Sequence, residues 1–541
     1  MNMRGTLAAC VMAALLSTSA CTSATGTAQP IPRIEHTDGK YRLMVDDSPF
    51  LILGGQIHNS STGNPEDLAK AMDVLAGMHA NVVEVPIYWE SVESEPGKYD
   101  FSTVDTTLRE ARKRNLHVVF LWFGTWKNGE SHYTPEWVKR DRQRFQRVIG
   151  SHGEETAVLS PIGEASRTAD ATAFAALMGH IKTADQATRS VLMVQVENEP
   201  GLIGTDRDYS PAATHLYDGA VPAQLVDYLR QHQGTLTTSM KAALKLPDAS
   251  STGTWIQVFG NLAPEAFSAW YVASYTDAVA KAGKQAYALP MYSNVWQIEG
   301  VERGGRWPSG GATEHVLDIW KAAAPSIDIL APDIYYPKFY DVSAVYHRAD
   351  NPLWVPEVNF NPYFVGFVYT VLGDFNGIGF SPFGIDDVAK GGDAAAIGMM
   401  FADTYGTLGP LLPIIAQYQN TGHIHTVIQG TGNGEDWNYS IPVGGRLAAV
   451  VEFTVPYTPD KGRASGMIIE LGPRDFLVVG HGFKVTFREL DGPLRDAELL
   501  SIEQGTFEGK QWVPARRLNG DERHVELPEA STVLRVRVNQ P

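Results

Sequence analysis

Runs of apolar residues that stop at polar ones recur between residues 50 and 385 and predict a series of buried strands. The clearest run is Val191-Leu-Met-Val-Gln-Val196, which is apolar at five of its six positions. A strand that is apolar on both faces suits a parallel sheet covered on both sides. The run ends at Glu197-Asn-Glu199, and Pro200-Gly201 follows as a turn pair. We therefore predict a buried parallel strand with two carboxylates at its carboxyl end.

Eight such runs alternate with amphipathic stretches from Phe50 onward. They lie at residues 50–59, 81–90, 116–124, 191–197, 286–294, 327–335, 353–357 and 377–381. Asn64 and Pro65 mark one clear helix start, with an N-cap residue before a proline at the first helical position. Eight strands separated by helices close a (β/α)8 TIM barrel, which is the α/β fold we predict. A doubly wound open sheet is the alternative, but no Gly-x-Gly-x-x-Gly follows the first strand.

From about Gly422 onward the pattern changes to short alternating strands separated by glycine, proline and Asn-Gly turns. This pattern predicts a C-terminal all-β domain, either a sandwich packed against the barrel or an independent sugar-binding module, and we favour the sandwich. The predicted organisation is a leader at residues 1–21, a tether at 22–40, the catalytic barrel at 41–420 and the sandwich-like domain at 421–541.

The first 21 residues resemble an export leader. Arg4 supplies the positive end, residues 7–16 the apolar core, and residues 17–21 a small-residue end that closes with Cys21. A cysteine after small residues resembles a bacterial lipobox, so we expect Cys21 to be lipidated, with plain secretion as the alternative. The protein would then be an exported lipoprotein of the periplasm or outer membrane of a Gram-negative bacterium. Because the other cysteine, Cys10, also lies in the leader, the folded body has no disulfide.

The composition narrows the classes of partner. A formal net charge of −17 argues against nucleic acid and against an anionic membrane surface, so any membrane contact would pass through the lipid anchor. The chain holds 12 Trp, 21 Tyr and 21 Phe, which suits a carbohydrate substrate packed on aromatic rings as well as an ordinary core. We find no His-Glu-x-x-His, clustered metal ligands or glycine-rich phosphate loop, and we expect neither a metal nor a cofactor.

Two glutamates end barrel strands that are not neighbours: Glu199 follows the fourth strand and Glu357 ends the seventh. The carboxyl ends of barrel strands carry the chemistry, so the two side chains can face each other across the mouth. Such a pair suits glycoside hydrolysis, in which retaining enzymes hold the carboxyl groups ~5–5.5 Å apart and inverting enzymes hold them further apart. The sequence leaves that separation open. We expect Glu197, near the strand end, to be turned away from the mouth and to be structural.

Other residues at the strand ends are candidate sugar contacts. Asn198 is placed to hydrogen-bond the hydroxyl beside the reacting carbon, a contact that strengthens as charge develops. A tyrosine of the sixth strand can hold the nucleophile ionised, and of Tyr335 and Tyr336 we expect only Tyr335 to point inward. Two tryptophans that can act as sugar platforms and two polar residues near the pocket complete the set: Trp126, Trp296, Asn294 and His58.

Four segments share a pattern with one known family. They are VQVENEPG at residues 194–201, LGGQIH at 53–58, residues 81–100, and PLWVPE at 352–357. In this order they resemble glycoside hydrolase family 35, the β-galactosidases of a large (β/α)8 clan. The resemblance implies that Glu199 is the acid/base and Glu357 the nucleophile of a retaining exo-β-galactosidase. It implies terminal galactose in plant-derived oligosaccharides, such as xyloglucan fragments, as the substrate. The C-terminal domain looks like the β-domain of a bacterial subgroup of this family.

The chain differs from the family pattern in part of the galactose-binding shell. Pro200 stands where the family has Tyr, Pro86 replaces a Tyr of the second strand, and residues 122–126 lack an acidic residue of the third. Alternatives of the same class are therefore a β-glucosidase, a β-mannosidase or another retaining β-glycosidase. The remote alternative is a non-catalytic glycan-binding lipoprotein, which would have lost one of the two carboxylates. The sequence leaves the oligomeric state open.

Overall fold

The computed structural model describes Met1 and residues 30–246, 252–298, 304–430, 438–458, 462–491 and 495–540 of the chain. Ile31–Pro541 form one compact unit by their contacts. Apart from Met1, the predicted leader lies outside the described residues, and so does the predicted lipidation of Cys21. None of the described helices combines the length and the apolar character that a membrane crossing requires.

A small antiparallel sheet stands before the barrel, formed by β1 (Arg33–Thr37), β2 (Lys40–Val45) and β3 (Ser48–Pro49). The turn Asp38-Gly39 joins β1 to β2 with positive φ at both residues, as a tight two-residue hairpin requires. Leu43 and Val45 are buried against the residues that fill the barrel interior. The tether prediction for residues 22–40 is therefore wrong from Arg33 onward, because this segment pairs as a hairpin and joins the barrel core.

Eight parallel strands close into a barrel, and the last of them pairs with the first. The strands of this part of the chain, with an intervening hairpin β7–β8 outside the barrel, are β4 (Ile52–Gln56), β5 (Val82–Tyr88), β6 (His117–Lys127), β7 (Arg147–Ile149), β8 (Glu155–Leu159), β9 (Val191–Asn198), β10 (Met291–Trp296), β11 (Ile329–Ile334), β12 (Trp354–Val358) and β13 (Gly379–Pro382). Each barrel strand overlaps one predicted apolar run. The predicted (β/α)8 fold is confirmed.

Helices fill most of the connections between the barrel strands. They are α1 (Pro65–Gly77), α2 (Trp89–Val92), α3 (Ser102–Lys113), α4 (Glu136–Arg140), α5 (Glu164–Asp185), α6 (Pro211–Asp218), α7 (Ala223–Gln231), α8 (Thr238–Ala243), α9 (Trp255–Phe259), α10 (Ala263–Ala286), α11 (Leu317–Ala323), α12 (Phe339–Tyr346), α13 (Pro362–Val365), α14 (Phe367–Leu372), α15 (Gly392–Leu408) and α16 (Leu412–Tyr418). Short 3-10 turns occur at Asn59–Thr62, Gly260–Leu262, Ile385–Lys390, Gly409–Leu411 and Gly520–Glu522. The helix α1 begins as predicted, because the Asn64 side chain accepts hydrogen bonds from two backbone N–H groups of the first turn.

Alternate residues of the barrel strands divide between two cores. In β6, Leu121 and Phe123 point into the barrel interior, whereas Phe120 and Trp122 belong to the cluster packed with the surrounding helices. Apolar side chains fill much of the interior of the barrel. Space for a ligand is therefore expected at the carboxyl ends of the strands.

Two antiparallel sheets follow α16. Their strands are β14 (Ile424–Ile428), β15 (Asn438–Val443), β16 (Leu447–Phe453), β17 (Ser465–Gly472), β18 (Asp475–His481), β19 (Phe483–Glu489), β20 (Leu499–Glu508), β21 (Gln511–Arg517), β22 (Val525–Leu527) and β23 (Thr532–Val538). One sheet has the order β14-β17-β18-β23-β20-β21 and the other the order β15-β16-β19-β22. The apolar alternation of the sequence does not by itself predict β14, β15 and β21. These are edge strands, and β21 is largely exposed and contains Pro514, which weakens the apolar alternation that identifies a strand.

The strands β17 and β18 of the six-stranded sheet are buried on both faces. Phe476 and Val478 of β18 join the core between the two sheets, whereas Leu477 and Val479 join the large cluster that includes the barrel helices. This alternation follows from the period of two along a strand. The C-terminal region is thus a sandwich that packs against the barrel.

Candidate active site

The carboxyl ends of the barrel strands surround a cavity of about 520 Å³. Four carboxyl groups and one ammonium group line it, and they belong to Glu130, Glu199, Asp333, Glu357 and Lys127. Aromatic and polar side chains form much of the remaining lining, including Tyr133, Trp296, Gln297, Tyr335, Tyr336 and Phe383. The two predicted catalytic glutamates therefore meet in one cavity, together with two further carboxyl groups that the sequence analysis did not predict.

The end of β9 has an unusual backbone that separates its two glutamates. Glu197 and Glu199 adopt φ values of 61° and 42°, in the left-handed region that costs a non-glycine residue on the order of 1–3 kcal/mol. Strict alternation would place both side chains on one face. Instead Glu197 contacts the helix layer and Glu199 lines the cavity. Gly201 follows where a Cβ atom would lie 2.4 Å from the carbonyl oxygen of Pro308, so this close approach requires glycine.

Glu197 is sealed from solvent and hydrogen-bonds the carboxyl group of Asp170 on α5. Its Oε2 accepts a hydrogen bond from the backbone N–H of Trp126 at 2.7 Å. Asp170 accepts hydrogen bonds from Trp122 Nε1 at 2.8 Å and from the backbone N–H of Thr125 at 3.0 Å. Burial, and then the charge of Asp170, raise the pKa of Glu197 well above its usual value. The pair ties β9, β6 and α5 together, which is the structural role expected for Glu197.

Glu199 is 6% exposed and faces the cavity. Its backbone N–H donates to Asn294 Oδ1 at 2.8 Å, and its carboxyl group is hydrogen-bonded to Asp333. Burial, followed by the charge of Glu357, raises the pKa of Glu199 to about 7, whereas Lys127 acts in the opposite direction. A carboxyl group that keeps a proton near neutral pH can serve as a general acid.

Glu357 accepts a hydrogen bond on each of its carboxylate oxygens. The Tyr335 hydroxyl donates to Oε1, and Gln56 Nε2 donates to Oε2 at 3.1 Å. Burial, with the charge of Glu357 next, raises the pKa of Tyr335, so its hydroxyl keeps the proton that it donates. The two donors therefore fix the direction of the Glu357 carboxyl group, which can act as a nucleophile or a base.

A buried polar layer lies inside the barrel, where Glu84 is the register partner of Gln56 on the neighbouring strand. Within it, the Tyr292 hydroxyl donates to Glu84 Oε2 at 3.1 Å. Burial raises the pKa of Glu84 to about 8. Glu84 is therefore largely neutral at pH 7, and the nucleophile has no additional negative charge from this side chain.

Asp333, Gln56 and Lys127 are among the residues that touch or line the site and that the sequence analysis missed. Gln56 and Asp333 interrupt the apolar runs of the first and sixth strands, which was an available signal. Lys127 lies beyond the predicted end of the third strand, because β6 continues through an irregularity in its pairing with β9. Asp333 is the cross-strand partner of Glu357. That relation depends on sheet register, which the apolar pattern leaves open.

Of the aromatic residues predicted to contact a sugar, Trp296 and Tyr335 line the cavity and Trp126 does not. Trp296, which is 37% exposed, and Tyr335 both line it. Tyr336 lines it as well, so the expectation that only one of the two tyrosines points inward is wrong. Trp126 is fully buried, and its ring packs on Tyr275 with centroids 4.6 Å apart. The prediction of Trp126 as a sugar platform is therefore wrong, because its side chain lies in the helix layer.

The polar candidates take different places. Asn198 is fully buried, and neither polar atom of its side chain has a hydrogen-bond partner among the described residues. Asn294 is also buried, and it links Glu199 to Asp333 instead of lining the cavity. His58 lies beside the cavity, with its Nε2 2.7 Å from an Asp387 carboxylate oxygen. The positions of Asn294 and His58 therefore do not favour contact with a substrate.

In the part of the chain that the structure describes, no group of three or more His, Cys, Asp or Glu side chains is arranged to hold a metal ion. The site instead offers carboxyl groups in two environments, a set of aromatic walls and a single barrel-mouth cavity. Acid/base and nucleophilic chemistry at carboxylates is what such a set can perform.

Family comparisons match two parts of the chain. Residues 59–261 match the model of glycoside hydrolase family 42, described as beta-galactosidase. Residues 401–528 match a domain of unknown function, DUF5597. A search of curated proteins found no match to this sequence.

Solved structures resemble the chain at low identity. A β-galactosidase from Bacillus circulans sp. alkalophilus has 14% identity and a TM-score of 0.46, with 68% of this chain and 57% of that one covered. A β-galactosidase from Rahnella sp. R3 has 16% identity and a TM-score of 0.45, with the same two coverages of 68% and 57%. The exo-β-1,4-mannosidase Op5Man5 from Opitutaceae bacterium strain TAV5 has 13% identity and a TM-score of 0.38, with 64% and 54% covered.

The chain thus spans little more than half the length of these solved structures, and at such identities no activity carries over from them. The family match rests on different evidence, because it covers β5, β6 and β9 and includes Glu199. It supports a glycosidase similar to β-galactosidases, and it does not single out family 35.

Proposed function

We propose that the chain is a retaining exo-β-glycosidase that removes terminal β-galactose from oligosaccharides. One observation carries this proposal: Glu199 and Glu357 line the same cavity at the ends of β9 and β12, the first with a pKa of about 7 and the second held by two donors. The family match of residues 59–261 supports the glycosidase class. The narrower assignment to family 35 rests on the four sequence segments alone.

In the first step Glu357 would attack the anomeric carbon while the bond from that carbon to the leaving oxygen breaks. Glu199 would give its proton to this oxygen, so the leaving group departs as an alcohol. The sugar is then joined to Glu357 as an ester. The hydrogen bonds from Tyr335 and Gln56 fix the carboxylate and thereby its direction of attack.

In the second step Glu199, now ionised, would take a proton from water as the water oxygen attacks the anomeric carbon. The bond to Glu357 breaks, and Glu357 leaves as a carboxylate. Two inversions give net retention of the β configuration. The same residue serves as acid and then as base, which suits a pKa near the working pH.

The sugar-binding part of the proposal rests on side chains around the two glutamates. Asn198 has a buried amide without a protein partner among the described residues, and it would hydrogen-bond the sugar hydroxyl next to the reacting carbon. Trp296 and Tyr336 would provide aromatic surfaces for the ring faces. The volume of about 520 Å³ is within the range of small-ligand pockets.

The biological setting also remains a proposal. We propose plant-derived oligosaccharides such as xyloglucan fragments as substrates, and an exported protein of the periplasm or outer membrane anchored through Cys21. The alternative substrates are β-glucosides and β-mannosides. Pro86 and Pro200 differ from the family 35 pattern, so these sugars belong in the substrate panel. A non-catalytic glycan-binding protein is disfavoured, because both carboxylates line the cavity.

A panel of nitrophenyl glycosides tests the sugar. We expect kcat/KM on the β-galactoside to exceed that on the β-glucoside and β-mannoside by about 10-fold or more, the scale on which pocket contacts discriminate sugars. Faster turnover of another β-glycoside would overturn galactose but not the reaction. Proton NMR of the first-formed product would test retention, and an initial α-anomer would overturn it.

The variant Glu357→Gly tests the nucleophile. We expect its activity to fall on the order of 10⁴-fold or more, because a covalent step is lost. Added azide should restore turnover of an activated substrate and yield an α-glycosyl azide. A matched control is Glu136→Gly, which removes an exposed carboxylate of α4 and should keep full activity without an azide product. Wild-type-like activity in Glu357→Gly would remove Glu357 from the mechanism.

A further inference from the structure

Asp333 is a buried carboxyl group of the cavity that the two-step reaction does not use. It lies on β11 and pairs in register with Glu357 of β12. The residue is 2% exposed, and yet it contributes to the cavity lining. No ion pair joins Asp333 to a cation among the described residues, although Lys127 lies close enough to influence it. A buried carboxylate in this position would be costly, so its protonation state needs an explanation.

The hydrogen bonds around Asp333 are directional. Asn294 Nδ2 donates to Asp333 Oδ2 at 2.7 Å, and Asn294 Oδ1 accepts from the Glu199 backbone N–H at 2.8 Å. These two bonds fix the amide of Asn294, so Oδ2 of Asp333 is an acceptor. Asp333 Oδ1 is buried and receives no hydrogen bond from an N–H or hydroxyl group of the described residues.

The side chains of Asp333 and Glu199 are hydrogen-bonded to each other. Two carboxyl groups can form such a bond only when one of them carries a proton. Because Oδ2 of Asp333 already accepts from Asn294, Oδ1 is the oxygen on which a proton of Asp333 would lie.

The surrounding charges decide which partner keeps the proton. Asp333 faces the carboxylate of Glu357 on β12, that of Glu199 on β9 and the ammonium group of Lys127 on β6. The phenols that feel its charge are those of Tyr292, Tyr335 and Tyr346. Burial, and then the two carboxylates, raise the pKa of Asp333 well above its usual value, while that of Glu199 reaches about 7. The hydrogen bond between the two side chains lowers the pKa of Glu199 and raises that of Asp333, so Glu199 is the partner that ionises first.

We propose that Asp333 is a positioning residue that stays neutral and donates a hydrogen bond from Oδ1 to Glu199 whenever Glu199 is ionised. This inference rests on the proposed function, in which Glu199 is ionised during the second step. The donated bond holds the ionised carboxylate of Glu199 in the orientation in which it takes a proton from water. Asp333 therefore assists the step in which Glu199 acts as the base, and it keeps its own proton throughout the cycle.

Two substitutions separate this role from a general structural one. Asp333→Asn keeps an acceptor for Asn294 and a fixed N–H donor for Glu199, so it imitates the protonated aspartate. Asp333→Ala removes both. With a dinitrophenyl glycoside, whose first step is fast, we expect kcat of Asp333→Ala to fall about 10- to 100-fold, with a burst of released phenol. We expect Asp333→Asn to retain kcat within about threefold.

The pH profile and the infrared spectrum provide readouts that a structural role would not move. We expect the alkaline limb of kcat/KM in Asp333→Asn to coincide with that of the wild type, because no charge is lost. If Asp333 were ionised, Asp333→Asn would move this limb to lower pH, and the proposal would be overturned. The infrared band of a buried protonated carboxyl group should be present in the wild type at pH 7 and diminished in Asp333→Asn. Its persistence unchanged in Asp333→Asn would also overturn the proposal.

The infrared comparison holds even where Asp333→Ala fails to fold, since it uses the wild type and the isosteric variant. Equal kcat in all three proteins, or equal loss in both variants, would contradict the assigned role. Absence of turnover by the wild-type protein on every glycoside of the panel would instead be a failure of the proposed function. The two failures are therefore distinguishable.

Discussion

Two pairs of hydrogen-bonded carboxyl groups lie at the end of the same strand, and only one of them faces a cavity. Glu197 pairs with Asp170 in the helix layer, and Glu199 pairs with Asp333 at the barrel mouth. Both pairs are nearly inaccessible to water and both raise carboxyl pKa values through burial. Similar chemistry therefore occurs two residues apart, and a raised pKa alone does not identify the catalytic pair.

The difference lies in what surrounds each pair. The sealed pair, Glu197 and Asp170, accepts hydrogen bonds from the Trp122 indole and from the backbone of Thr125 and Trp126, all of which are fixed. The open pair, Glu199 and Asp333, lines a cavity together with Lys127 and Glu357. Fixed donors hold strands and helix together, whereas a cavity admits a substrate that exchanges the proton. Access to a cavity, more than a raised pKa, therefore distinguishes the catalytic pair from the structural one.

Between the two pairs, the largest expected effect comes from removing the acid Glu199 at the open pair. Glu199→Gln should lower kcat/KM about 10²- to 10⁴-fold on glycosides with poor leaving groups, because general acid catalysis contributes on that scale. The loss should be much smaller with a dinitrophenyl leaving group, which departs without a proton. Steady-state kinetics on a series of leaving groups of increasing basicity measures this.

The matched control is Glu197→Gln at the sealed pair, an identical chemical change two residues away. It keeps an acceptor for the Trp126 backbone and a donor toward Asp170, so we expect kcat/KM within about tenfold of wild type and no leaving-group dependence. A leaving-group dependence in Glu197→Gln that equals the one in Glu199→Gln would contradict the separation of the two pairs.

The second prediction concerns stability. Asp170→Ala leaves the Trp122 indole N–H and the Thr125 backbone N–H without their acceptor, and each buried unsatisfied donor costs about 1–3 kcal/mol. The free energy of unfolding should fall by about 3 kcal/mol, and Asp170→Asn should lose less because it keeps one acceptor. Chemical denaturation measures both variants. An unchanged midpoint in Asp170→Ala would show that the sealed pair is not a structural link.

The fold was predictable because parallel barrel strands are buried on both faces and therefore read as apolar runs. Glu199 and Glu357 were predictable because a carboxylate that ends such a run has few structural uses. Asp333 was not predicted, since its relation to Glu357 is a matter of strand register. The orientation of Trp126 was predicted wrongly, because it depends on the irregular pairing of β6 with β9. The hairpin at Arg33–Val45 was missed because tertiary contacts, more than its own sequence, stabilise it.

The third prediction uses one tyrosine from each region. Tyr335→Phe removes a hydroxyl that donates to Glu357, and we expect kcat/KM to fall about tenfold or more, as for other hydrogen bonds to a charged group. Tyr275→Phe removes a hydroxyl that lies 2.6 Å from Thr125 Oγ1 beside the sealed pair, and we expect it to affect stability and not kcat/KM. Equal kinetic losses in the two variants would contradict the assignment of Tyr335 to the nucleophile.

The smallest expected effect is a shift in pH dependence at the open pair. Glu199 must be protonated in the first step, so kcat/KM should decline as pH rises through its pKa of about 7. Lys127 favours the ionised form of Glu199, so Lys127→Met should raise this pKa and move the alkaline limb to higher pH, by less than about one unit. Lys139→Met removes a cation paired with Glu90 on the surface and should leave the limb in place. A shift to lower pH in Lys127→Met would mean that the alkaline limb does not report Glu199, and the distinction between the open and sealed pairs would then lose its kinetic basis.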